Sequence, residues 1–202
     1  MSKFLGPIHF WLYNKIKIQN DIIEDIITLL DNKNLNLRNN IYEQFGGGEL
    51  KPLDEVVDAG NIHGWLQEQI SKVENKLAFV VTEILEKDQS ALNDIKTIFR
   101  NNGVKVSSLN KENGIDEVFK AVNDTLLDGM PCDHVNAIIS QDKNGVVWKR
   151  YECVHSKYWE AANGDVSNYY MLRDEFIKGL LSAAEVNYEK LDEVTSKITR
   201  RQ

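Results

Sequence analysis

Asn144-Gly145 stands between two β-rich runs, Ile138-Ile139 before it and Val146-Val147 after it. Both residues tolerate the positive φ of a type I′ turn, so the dipeptide predicts a β-hairpin. Almost everything before it carries helical periodicity, so a hairpin here commits the chain to a mixed fold.

The first 128 residues place apolar side chains at helical spacing. Phe4 to Leu30 carries Leu5, Ile8, Leu12, Ile16, Ile22, Ile23, Ile26, Ile27 and Leu30 in phase. Gly6-Pro7 puts a proline where a first helical turn tolerates it. Leu35 to Phe45 predicts a shorter helix, stopped by the flexible connector Gly46-Gly47-Gly48. A turn or two over Leu53 to Asp58 follows. Asn61 is placed to cap a long helix to about Glu86, with Trp65, Ile70, Val73, Leu77, Val80, Val81 and Ile84 in its stripe. Ser90 to Asn101 reads as a helix closed by Asn102-Gly103. Val104 to Asn113 is a polar connection with room for one short strand, and Ile115 to Leu127 is helical again. After the hairpin come a loop through Tyr158, Trp159 and Gly164 and a helix over Ser167 to Ala183. The tail from Val186 to Arg200 reads as one or two strands, with a turn available at Leu191-Asp192-Glu193.

This order predicts an α+β fold, with a mostly helical N-terminal half and a small antiparallel sheet built from the hairpin and the terminal strands. A boundary near residue 105 would separate a helical region, 1–105, from an α+β region, 106–202. One continuous domain, 1–202, is the alternative.

Both cysteines and two of the four histidines flank the hairpin in one pattern, Cys132-Asp133-His134 and Cys153-Val154-His155. Strand side chains alternate with period two. With Asn144-Gly145 as the loop, His134 faces His155. With Lys143-Asn144 as the loop, His134 faces Cys153 and Cys132 faces His155. Either even loop puts all four on one face at the hairpin's open end, and a three-residue loop separates them. Two thiolates and two imidazoles are a ligand set for zinc or iron, so Cys132, His134, Cys153 and His155 are the candidate metal ligands. Their spacing matches no familiar zinc finger, and core thiols with hydrogen-bonded histidines are the competing explanation. An enzyme is a further alternative, hydrolase-like, with Cys153 as nucleophile and His134 or His155 as base.

Two local phrases repeat a histidine followed two residues later by tryptophan, His9-Phe10-Trp11 and His63-Gly64-Trp65, each near a predicted helix start. If those helices run parallel, His9 and His63 face each other, and with Trp11 and Trp65 they would suit a haem or other cofactor. The competing explanation is a helix-start histidine bonded to backbone. The Glu-x-x-His motif of di-iron bundles is absent. Gly46-Gly47-Gly48 lacks the flanks of a phosphate loop, and no serine sits in a G-x-S-x-G frame.

Lys and Arg number 24 against 31 Asp and Glu, a net charge of −7. That balance argues against nucleic acid or an anionic membrane surface as partner. No run approaches the about 18 apolar residues of a membrane span. The Met-Ser-Lys start carries no signal-peptide pattern, and two cysteines make no disulfide scaffold, so a cytoplasmic setting is expected.

The C-terminal third carries a resemblance. The helix Tyr169-Tyr170-Met171-Leu172-Arg173-Asp174-Glu175-Phe176-Ile177-Lys178-Gly179-Leu180-Leu181 ends in an aromatic-x-x-Gly step. It leads into Val186-Asn187-Tyr188-Glu189 and Thr195-Ser196-Lys197-Ile198-Thr199-Arg200, with Trp148 in the preceding hairpin. This arrangement resembles the end of the vinyl-reductase-type small-molecule-binding domain and the related Bet-type subunits of transport particles. Bacterial members carry cysteines near the last strands, where this chain has Ser196 and Ile198. The resemblance implies a pocket between helices and sheet, used to sense or carry small molecules. The resulting expectation is a small-molecule- or metal-binding sensor or accessory factor. A structural or interaction module without chemistry, or a homodimer, remains open beside it.

Overall fold

The computed structural model describes residues 4–33 and 35–201. These form eight α-helices and four strands: α1 (Pro7–Asn32), α2 (Arg38–Phe45), α3 (Leu53–Val56), α4 (Ile62–Lys87), α5 (Leu92–Val106), α6 (Ile115–Thr125), β1 (Asn136–Asp142), β2 (Gly145–Arg150), α7 (Ser156–Ala161), α8 (Val166–Leu180), β3 (Val186–Lys190) and β4 (Thr195–Arg200). The fold is α+β, as the order of periodicities predicts.

α1 begins at Pro7, whose fixed φ suits a first turn. Asn61 caps α4, its side-chain oxygen accepting from the Gly64 N–H at 3.2 Å. The two long helices run parallel. Gln19 reaches Glu74, Lys76 reaches Glu24 and Lys33 reaches Asp88, so the cross-links advance along both helices together. Between them α2 ends in Gly46-Gly47-Gly48, and this run is tied to α1 where Asn20 donates to the Gly48 carbonyl and Gly48 N–H donates to Glu24.

α5 does not stop at Asn102-Gly103 as the sequence suggests, but continues to Val106. Asn102 is held within the helix by bonds to Asp25 and the Ile98 carbonyl. Gly103 lies against α8, where a Cβ would come within 2.2 Å of the Phe176 carbonyl oxygen. Gly179 mirrors it, its missing Cβ falling 2.0 Å from the Arg100 carbonyl oxygen. The glycines let two helix backbones touch, and that packing outweighs the poor helix propensity of glycine. The connection from Ser107 to Gly114 carries turns and no strand.

The four strands form one antiparallel sheet in the order β1-β2-β4-β3. Val146, Trp148, Val186 and Ile198 are buried, and the Trp148 ring packs between Phe119 of α6 and Tyr188 of β3. The hairpin turns on Lys143-Asn144, because Asp142 pairs with Gly145. Ile139 is then an extra residue in β1: Ser140 pairs with Val147, but Ile138 with Trp148. Such a bulge shifts the register by one. β1 is an edge strand, and its Ile138 and Ile139 are exposed, as is Ala137.

One hydrophobic cluster includes Leu12, Ile26, Leu66 and Ile84 together with Trp148, Trp159, Phe176 and Ile198. It therefore takes residues from both sides of position 105. Among the described residues no helix is long and apolar enough to cross a membrane.

Candidate functional site

The chain leaves β2 at Arg150 and enters α7 at Ser156. Cys153 and His155 lie in this link, and the two side chains have different surroundings. His155 is 1% exposed and points inward. Its Nδ1 lies 2.9 Å from Glu74 Oε2 on α4, and its Nε2 lies 3.4 Å from Asp128 Oδ1 in the link after α6. Tyr169 of α8 covers the ring, with centroids 3.9 Å apart.

The network continues on both sides. Gln19 of α1 donates to Glu74 Oε1 at 3.0 Å. Arg173 of α8 grips both oxygens of Asp128, with Nη2 2.9 Å from Oδ2, and Asn136 of β1 adds a bond of 2.8 Å. Two carboxylates thus face one guanidinium and one imidazole, and the buried Lys15 amine also acts on Asp128, so both buried acids have basic partners, as buried ions require. Burial alone would discharge His155, but Glu74 and Asp128 outweigh it and push its pKa up to about 9. Burial would likewise raise Asp128, yet Arg173 and His155 hold it far below the carboxylate range. Burial keeps the Tyr169 phenol well above its usual value.

Cys153 is half-buried beside this network. Its sulfur accepts from Ser156 Oγ at 2.9 Å and from Tyr170 Oη at 3.0 Å. Burial pushes the thiol up. The two hydroxyls and the backbone N–H groups of His155 and Ser156 outweigh that and leave its pKa below the ordinary value. Cys153, Ser156, His155, Glu74, Ser71 and Tyr158 line a cleft of about 730 Å³. A cleft with perturbed titratable groups in its wall marks a candidate functional site, although buried ion networks that serve stability shift such groups as well.

The four residues of the C-x-H pairs do not come together on one hairpin face. The ladder ends at Asn136 and Arg150, before either pair, and the bulge at Ile139 shifts its register. Cys132 is exposed on a 3-10 turn, Pro131–Asp133, and His134 follows it, exposed, with φ of 49°. Cys153 and His155 reach the cleft, and Cys132 and His134 are not among the residues lining it. To bind a metal, His155 would have to release Glu74 or Asp128, because each ring nitrogen is already engaged. Among the described residues no group of three or more His, Cys, Asp and Glu is arranged to hold a metal ion.

His9 and His63 do meet, because α1 and α4 are parallel: their Nε2 atoms lie 3.2 Å apart. Gly6 N–H donates to His9 Nδ1 at 2.9 Å, so His9 carries its hydrogen on Nε2 and donates to His63. A metal between the rings would need both Nε2 lone pairs, and one of them holds that hydrogen. Trp11 donates to Asp124, with the Lys15 amine over its ring. Trp65 packs on Tyr13.

Glu74, Asp128, Arg173 and Ser156 escape a reading by motif, whereas Tyr158 and Tyr170 are legible as aromatics able to wall a pocket. Three polar residues of the network nevertheless leave a mark in the sequence. Gln19 falls in phase with Leu12, Ile16 and Ile23, Glu74 with Ile70, Leu77 and Val81, and Arg173 with Tyr169, Phe176 and Leu180. A polar side chain on the core stripe of a helix must find a buried partner.

Compared with family models, with curated proteins and with solved structures, the chain finds no match in any of the three.

Proposed function

We propose that this chain is an enzyme of the nucleophilic-cysteine class, with Cys153 attacking an electrophilic acyl carbon of a small polar molecule bound in the cleft. One observation carries the reading: Cys153 is one of the residues lining the cleft, and its sulfur accepts hydrogen bonds from two hydroxyls and two backbone N–H groups. Donors around sulfur favour the thiolate, which is the reactive form. In the first step the thiolate forms a C–S bond and the carbonyl π pair moves to oxygen. Collapse then expels the leaving group and leaves a thioester, which water hydrolyses.

No histidine acts as base in this reading. His155 donates from both nitrogens and has no lone pair to offer, and His134 lies outside the cleft. The role of His155 is positional. Anchored to Glu74 and Asp128, it fixes the link whose N–H groups face the sulfur.

The test is iodoacetamide labelling of the Cys132→Ser protein as a function of pH. The expected midpoint lies below about 8.5, the value of an ordinary thiol, and labelling disappears in Cys132→Ser/Cys153→Ser. Slow labelling with a midpoint at or above that value would overturn the proposal.

A further inference from the structure

We propose that a second pocket, between α1, α4 and the glycine run after α2, binds a phosphate-type dianion, with Lys72 and Lys76 as its cations. The run Gly46-Gly47-Gly48 lacks the sequence flanks of a phosphate loop. The fold brings it two lysines instead.

Lys72 and Lys76 lie four residues apart on α4 and so share a face. Both line a pocket of about 150 Å³, together with the three glycines and Asn20. Among the described residues no carboxylate lines it. In a chain of net charge −7, a concave surface with two amines and no acid is set apart electrostatically from the rest of the molecule.

The two amines differ in what they offer. Lys76 is buried and donates to Glu24 Oε1 at 2.7 Å. An ammonium carries three hydrogens, and Glu24 takes one of them. The Tyr42 ring is the amine's other neighbour, with its centroid 5.3 Å away. Lys76 therefore brings donors more than charge. Lys72 is an exposed residue, yet its amine lies back on the loop: a Cβ at Gly46 would fall 3.3 Å from its Nζ. Among the described residues Lys72 has no ion-pair partner. Its charge is available to a ligand.

The glycine run is clamped in place. Gly46 and Gly48 have φ of 75° and 83°. Gly47 lies on the Tyr42 ring, where a Cβ would come within 2.3 Å, and Tyr42 is itself held by Arg38 and Glu24. Gly48 donates to Glu24 and accepts from Asn20. Gly46 N–H closes α2 on the Tyr42 carbonyl. Gly47 N–H meets no acceptor among the described residues and remains as a backbone donor. Donors fixed before binding lower the entropy cost of holding an anion.

Size and donor type set the ligand class. The pocket is well below the about 300–1,000 Å³ of sites for drug-sized molecules, so it takes a small group. Lysines meet phosphate as point charges, whereas a planar carboxylate is matched by the arginine fork. A phosphate, free or as the end group of a small monoester, fits both criteria.

The experiment titrates the full chain, labelled with 15N, with inorganic phosphate and then with glycerol phosphate at constant ionic strength. Saturable shifts are expected in the amides of Gly46, Gly47 and Gly48. Lys72→Gln should weaken binding about tenfold or more, the scale of a lost bond to a charged group, and Lys72→Arg should retain most of it. Because Lys72 is exposed, the rest of the spectrum should be unchanged in both variants. Tighter binding of glycerol phosphate would identify a monoester as the ligand, and equal binding free phosphate. Shifts that never saturate, shifts reproduced by chloride, or unaltered binding in Lys72→Gln would each overturn the proposal.

Discussion

Glu74 and His155 meet at 2.9 Å in the interior, from elements far apart in sequence, with side chains 2% and 1% exposed. The contact joins the long helix α4 to the link that carries Cys153, and its strength depends on the proton on His155. The folded-state pKa of His155 is raised to about 9 from 6.5. A raised pKa means stability that is full below pH 6.5 and is lost as the pH rises through 9. The loss should be on the order of 3 kcal/mol, at about 1.4 kcal/mol for each unit. Urea denaturation between pH 6 and 10 checks this, and His155→Gln should flatten the alkaline slope. An unchanged slope in that variant would disprove the assignment.

Asp128 and Arg173 form the second buried pair. Asp128 is held low, so its contribution is present at neutral pH and fades only under strong acid. Asp128→Asn leaves the Arg173 charge buried without its counter-ion and weakens the hold on His155. Removing one partner of such a pair costs about 3–5 kcal/mol. The midpoint in urea should fall accordingly, and a change below about 1 kcal/mol would show that the network is more hydrated than its burial implies.

The α5–α8 contact makes a steric prediction. A Cβ at Gly179 meets a backbone carbonyl oxygen, which cannot rotate away as a side chain would. Gly179→Ala should therefore destabilise by about 1–3 kcal/mol or more despite alanine's better helix propensity. Gly103→Ala should behave alike. Thermal unfolding of both variants decides it, and a stabilised Gly179→Ala would contradict the close approach.

The exposed members of the two C-x-H pairs should be dispensable for the chemistry proposed here. Cys132→Ser and His134→Ala are expected to shift stability by no more than about 0.5 kcal/mol. Neither should move the pH midpoint of Cys153 alkylation. A shift in that midpoint, or loss of bound zinc or iron from protein purified without chelator, would return all four residues to one site.

The hairpin, the helical stripes and the two terminal strands each follow from spacing a few residues long, and each appears in the structure. Asn61 caps α4 for the same local reason. The errors fall where distant packing decides. Asn102-Gly103 looks like a helix stop until α8 lies against it. Lys143-Asn144, one of the two even loops the sequence allows, takes the turn, but Ile139 bulges in the edge strand and shifts the register. That bulge and the early end of the ladder part Cys132 and His134 from Cys153 and His155.

Local spacing along the chain determined the α+β class, the hairpin, the order of the longer elements and the residues on their core stripes, but α7, where Tyr158 and Trp159 are buried, reads in the sequence as a loop. Spacing also marked Gln19, Glu74 and Arg173 as polar side chains in apolar company. Only the tertiary structure decided which of them meet, that α1 and α4 run parallel, and that Cys153 receives its donors from Ser156 and Tyr170. The reason is range. Turn and helix signals act between neighbours in sequence, whereas a buried charge is neutralised by whatever the fold brings within about 4 Å of it, and chain order does not encode that distance.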